Sequence, residues 1–158
     1  VFEKSYLMNP FMLMTSSTEE LAREINNLAS RYNYQDDTQG IISDNICLES
    51  DILMIYGELI ARYQKDAEML KLEADILEKK STYQLRKDWV ATSNEKVPAM
   101  SYFEAQGTEI AKSLWERQID AKSMLDRFKM AYKSMETKQN ALKKKQDAMK
   151  YEDYQNGQ

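Results

Sequence analysis

The residues best suited to chemistry lie in the run Lys79-Lys80-Ser-Thr-Tyr83-Gln-Leu-Arg86-Lys87-Asp88-Trp89, which holds four basic residues and two aromatics within eleven positions. Lys and Arg neutralise phosphates, and aromatic rings stack on unpaired bases. Together they hold single strands with little sequence preference. On a helix advancing about 100° per residue, Tyr83, Arg86 and Lys87 share a face, with Lys79 and Lys80 one turn below. Lys79, Lys80, Tyr83, Arg86, Lys87 and Trp89 are therefore the candidate nucleic-acid-binding residues. The same run also fits a solvated helix face with Trp89 packed under a loop. A second basic stretch, Lys143-Lys144-Lys145 with Lys133, Lys138 and Lys150, lies toward the end of a predicted helix. Basic side chains there complement the helix dipole, so this stretch is read as structural.

Other chemistry is hard to build from this composition. The chain contains no histidine and a single cysteine, Cys47. Without histidine, the commonest general base and metal ligand is missing, and Ser–His or Cys–His nucleophile systems cannot form. The Glu-x-x-His motif of helix-bundle metal sites is likewise ruled out. The expectation is a non-enzyme with no metal and no cofactor. Cys47 has no intrachain disulfide partner, which fits a reducing interior.

The element that must position the basic run is read from the longest regular pattern, Ala111 to Met149. Leu114, Ala121, Leu125, Phe128, Tyr132, Met135, Leu142 and Met149, with Gln118, Gln139 and Gln146 between them, are spaced alternately by four and three residues. Such a repeat keeps one narrow helix stripe facing a partner. Leu114, Leu125, Phe128, Tyr132, Met135 and Leu142 are the core or oligomer stripe, and Trp115 beside it suits an oligomer contact. At ~1.5 Å per residue this helix would be nearly 60 Å long and would need a second helix to cover it.

That partner is expected from a cap at Ser50-Asp51 to about Ser93-Asn94, where Tyr56, Tyr63, Leu70 and Leu77 recur every seven residues. Thr92 to Ala99, with Pro98, forms the turn. Ser101-Tyr-Phe-Glu104 has a capping-box pattern, and Gly107 is read as a soft point. Upstream, Thr15-Ser-Ser-Thr18 before Glu19-Glu20 starts a shorter helix that ends near Tyr32. Residues 33–40 form a polar linker.

The predicted fold is all-α: an elongated antiparallel hairpin of two long helices, coiled-coil-like, with a shorter N-terminal helix. Residues 1–45 form an arm and short acidic helix, residues 46–152 the hairpin, and residues 153–158 a frayed, disordered tail. No run approaches the ~20 apolar residues of a membrane span. The opening Val1–Met14 lacks a basic start and a cleavage site, so it is not read as a signal peptide. It fits an anchoring arm or sequence upstream of the true start.

Charge is unevenly distributed. Residues 1–78 hold 6 basic and 15 acidic side chains, whereas residues 112–150 hold 11 basic and 5 acidic ones. The asymmetry fits either an acidic ligand for the basic half or attraction between acidic and basic helices.

From Glu68-Met-Leu-Lys-Leu-Glu-Ala74 through Lys79-Lys80, Arg86, Asp88 and Trp89, the chain resembles the phage UvsY-type recombination mediators. A long helix with a basic pair, then Arg, Asp and an aromatic residue, approaches a polar loop. A second long helix returns from Thr108 to Met149. The resemblance covers roughly residues 50–150 and leaves residues 1–45 unmatched. It implies a non-enzymatic, ring-like homo-oligomer that binds single-stranded DNA. It further implies help in loading a RecA-like recombinase onto strands covered by single-stranded-DNA-binding protein, in the host cytoplasm. Lys79, Lys80, Arg86 and Lys87 would contact the DNA. The competing expectation is a helical-hairpin or coiled-coil scaffold or adaptor without nucleic-acid binding. A third is a coiled coil anchored to a membrane through residues 5–14.

Overall fold

The computed structural model describes residues 10–35 and 38–157. Among them are four helices and no strand: α1 Pro10–Thr15, α2 Thr18–Ser30, α3 Gln39–Thr92 and α4 Met100–Asn156. The fold is an all-α hairpin in which α3 and α4 pack against each other. Residues 1–9 and residues 36–37 of the linker lie outside the described residues, and with them about half of the arm expected as a membrane anchor. Among the described residues no helix is long and apolar enough to cross a membrane.

Helix α2 begins where the hydroxyl-rich stretch predicts. The Ser17 hydroxyl accepts from the Glu20 N–H at 3.1 Å, and the Ser17 N–H donates back to the Glu20 carboxylate at 2.7 Å. This reciprocal box satisfies two amides that a helix start leaves without partners. Leu21, Ile25 and Leu28, spaced by four and three, form its inner face.

Three element boundaries differ from expectation. Ser50 and Asp51 do not cap α3, which starts eleven residues earlier at Gln39. The Ser50 hydroxyl donates to the Ile46 carbonyl at 2.9 Å, back along the helix, and Asp51 is buried. A cap signature carries no weight when the preceding residues already continue a buried face, here Ile42, Asn45 and Leu48. The expected boundary between residues 45 and 46 therefore falls inside α3. At the other end α4 runs through Asn156, so the tail expected from residue 153 is helical for four of its residues. Helix α4 also begins at Met100, which places Ser101 within it rather than at its cap.

The chain divides into two compact units, residues 1–61 with 126–158 and residues 62–125. In the first, Leu13, Leu21 and Leu28 pack with Leu48, Ile52, Ile55 and Leu59 of α3, and Phe128 and Met135 of α4 join them. Here α3 is covered by both α2 and α4, so its buried face is broad. Asn45 fastens the chain between α2 and α3: its amide donates to the Asn33 carbonyl at 2.6 Å and accepts from the Asn33 N–H at 3.0 Å.

In the second unit only α3 and α4 meet, and small residues make the seam. Ala67, Ala74 and Thr82 on α3 and Gly107, Ala111 and Ala121 on α4 are all buried. Gly107 is a close-approach glycine rather than a soft point. A Cβ there would overlap the Thr82 hydroxyl and stand 2.8 Å from the Glu78 carbonyl oxygen. Trp115, expected at an oligomer contact, is half-buried and donates its indole N–H to Glu78 at 3.0 Å.

The predicted stripe of α4 is its inner face. Leu125 and Leu142 are buried, and Leu114, Phe128, Tyr132 and Met135 are half-buried. The buried face continues backward from Ala111 in two steps of four, through Gly107 to Phe103, both buried, so the inner face is longer than the predicted stripe.

Candidate nucleic-acid interface

The candidate residues occupy the last turns of α3 before the hairpin loop. The helix is held to its end by local bonds: the Thr92 hydroxyl donates to the Asp88 carbonyl at 2.7 Å, and the Ser93 N–H to the Trp89 carbonyl at 2.9 Å. Ser93 then accepts from the Glu95 N–H at 3.1 Å, which turns the chain out of the helix.

Below the loop three aromatic rings pack edge to face. Trp89 lies 6.1 Å from Tyr102 and 6.2 Å from Phe103, and Tyr102 lies 5.4 Å from Phe103. Offset and edge contacts at such separations suit the ring quadrupoles. Phe103 is the buried centre of the group. The indole N–H of Trp89 is buried, without an acceptor among the described residues.

This packing separates Trp89 from the basic residues that precede it in the sequence. Six residues past Tyr83, it lies about 120° around the helix from that ring. It is half-buried against α4, so it shapes the end of the hairpin and is not a free stacking platform.

The remaining five candidates stay together. Lys79, Lys80, Tyr83, Arg86 and Lys87 are all exposed, and none of the four cations has an ion-pair partner among the described residues. The Tyr83 ring is 68% exposed, enough to receive a planar group. Tyr83, Arg86, Lys87, Val90 and Met100 line a shallow groove of about 300 Å³. Its walls combine two cations, one ring and two apolar side chains, with no carboxylate. A neighbouring groove beside Lys79 includes Glu78 and Glu104. Those acids disfavour a phosphate there, so an anionic strand is better placed over Arg86 and Lys87.

Two lysines of the second basic stretch are engaged internally. Lys138 pairs with Glu49 at 3.5 Å, and its ammonium stands 3.6 Å from the centre of the Tyr32 ring. Lys143 donates to Gln139 at 3.0 Å, and Gln139 in turn donates to the Ser50 hydroxyl and the Ile46 carbonyl of α3. Lys138 and Lys143 are part of the packing between α3 and α4 in their unit. The dipole reason expected for this stretch does not apply, because α4 runs on to Asn156 and its last turn holds no basic residue.

Glu49 lies outside the candidate residues read from the sequence. Its side chain is fully buried, and neither carboxylate oxygen accepts a hydrogen bond from the described residues. Burial pushes its pKa above the ordinary 4.5, against the opposing charges of Lys138 and Lys143. Counting the seven-residue repeat back from Tyr56 reaches Glu49 and then Ile42, a signal hidden by the cap-like residues at Ser50 and Asp51.

Among the described residues no three acidic or cysteine side chains come together as a metal site. Compared with known proteins, the chain matches no family model, no curated protein and no solved structure.

Proposed function

We propose that this chain is a non-enzymatic single-stranded-DNA-binding protein of the recombination-mediator kind, acting with a RecA-like recombinase and a single-stranded-DNA-binding protein. The observation that carries the reading is the unpaired basic face Lys79, Lys80, Arg86 and Lys87 beside the exposed Tyr83 ring. Lys and Arg neutralise phosphates while the ring stacks on a base, and neither contact reads sequence. One such face is a modest site. A homo-oligomer joined through a surface other than this face would sum several of them along one strand through effective concentration. The mediator role and a phage-encoded setting in the host cytoplasm rest on the resemblance over residues 50–150.

The test is anisotropy of a fluorescent oligo-dT across a salt series, with duplex DNA as competitor. Affinity is expected to fall steeply with salt and to survive the duplex. Replacing Lys79, Lys80, Arg86 and Lys87 by Ala should weaken binding and flatten the log–log salt slope by about 0.7 for each phosphate no longer neutralised, with helicity unchanged. Equal affinity in wild type and the quadruple variant would remove this face from consideration.

A second reading, a helical scaffold without nucleic-acid binding, is favoured by the exposed Met69, Leu72 and Ile76 upstream of the basic run. It expects no oligo-dT binding even at low salt.

A further inference from the structure

Helix α3 carries a second apolar stripe that nothing within its unit covers. Met69, Leu72, Ile76, Tyr83 and Val90 are exposed by 48%, 54%, 44%, 68% and 61%. With Lys79 and Arg86 between them, they are again spaced by three and four residues, from 69 to 90. This stripe lies on the side of α3 away from Ala67, Ala74 and Thr82, which pack against α4. A heptad stripe of this kind is what a helix presents to another helix.

The charges beside the stripe identify the partner. Asp66, Glu73, Lys80 and Lys87 form a column at seven-residue intervals along one flank, in the order acid, acid, base, base. All four are exposed, and none has an ion-pair partner among the described residues. Such a column is its own complement only when reversed. Residues 65–78 carry a net −3 and residues 79–90 a net +3.

We propose that this face of α3 docks a second copy of the chain in antiparallel orientation. In the register that places Tyr83 over the partner copy's Leu72, Ile76 meets the alkyl stem of Lys79, and Met69 that of Arg86. Long cationic side chains lay their stems on apolar surface while keeping the charge in water. In the same register Glu73 comes opposite Lys80 and Asp66 opposite Lys87, each twice by the two-fold symmetry of an isologous contact. A parallel pairing would instead set like charges level with like.

The surface overlaps the basic face proposed for DNA, but the inference does not depend on that reading, and its test contains no nucleic acid. Sedimentation equilibrium at low salt compares wild type with Lys80→Glu/Lys87→Glu and with Asp66→Lys/Glu73→Lys, each with circular dichroism to confirm helicity. The first variant has an all-acidic column and the second an all-basic one. Like charges placed level suppress pairing, so each variant alone should associate more than about tenfold more weakly than wild type. An equimolar mixture of the two should recover the wild-type association, which also shows that both are folded. A wild type that stays monomeric overturns the proposal. So do variants that associate as wild type does, or a mixture that does not recover.

Discussion

At the scale of single residues, Glu49 is where electrostatics and burial oppose each other most directly. Its side chain is fully buried, whereas that of its partner Lys138 remains 45% exposed. The two halves of the pair therefore respond differently to substitution. Removing Lys138 leaves a buried charge without its counter-ion, whereas removing the charge of Glu49 returns Lys138 to water and to the Tyr32 ring. Because the folded pKa is raised, the folded chain holds the Glu49 proton more tightly than the unfolded chain. Its contribution therefore becomes more favourable as pH falls through the folded value and is complete below the unfolded one; it is lost as pH rises. Glu49→Gln is expected to raise the Tm at pH 7 by about 2–4 °C, the response of a chain this size to about 1 kcal/mol. The gain should shrink toward pH 4, where the wild-type carboxyl is itself protonated. Thermal melts of both proteins at the two pH values check this, and an equal gain at both would show that charge is not the cause.

At the scale of elements, the contrast between two helical glycines separates packing from propensity. Both Gly57 in α3 and Gly107 in α4 give up the ~1 kcal/mol that Ala would bring to a helix interior. A Cβ at Gly57 meets nothing within 4 Å, whereas one at Gly107 runs into Thr82 and the Glu78 backbone. Gly57→Ala should stabilise by about 0.5–1 kcal/mol through propensity alone. Gly107→Ala should destabilise by about 1–2 kcal/mol, since overpacking a seam costs more than the propensity gained. Urea titrations followed by helicity measure both, and the opposite signs are the informative result. The same seam explains the packing at the end of the hairpin. With Ala and Gly between α3 and α4, the aromatic group of Trp89, Tyr102 and Phe103 supplies the large side chains there.

At the scale of the whole molecule, two proposals meet on one surface. Lys79, Lys80, Arg86 and Lys87 are the cations offered to a DNA strand and also lie within or beside the stripe offered to a second copy. If both hold, pairing shields each basic run with the partner copy's acidic run, and a strand and a second copy compete. Competition of this kind is reciprocal by linkage. Oligo-dT added to the paired protein should therefore shift it toward monomers carrying DNA, and raising the protein concentration should weaken the apparent DNA affinity. Sedimentation velocity with absorbance tuned to a labelled oligonucleotide reads both effects at once. A complex of DNA with the intact pair would place the two contacts on different faces.

Much of this arrangement was legible in the sequence because it depends on period. The stripe from Leu114 to Met149, the seven-residue repeat from Tyr56 to Leu77, the turn at Pro98 and the start of α2 at Ser17 each follow from spacing or local bonding. The exposure of Lys79, Lys80, Tyr83, Arg86 and Lys87 follows from their place off the buried stripe. What spacing could not decide was what each face meets. Ser50-Asp51 has the residues of a helix cap, but the burial of Ile42, Asn45 and Leu48 carries α3 past it. Gly107 has the composition of a weak point, but the approach of Thr82 and Glu78 makes the missing side chain a requirement. Trp89 sits among basic residues in the chain, but the helix turns it toward Phe103. Glu49 shows no local sign of burial at all. Periodicity is a property of the chain itself, whereas contact depends on which second surface arrives, and only the tertiary structure supplies that surface.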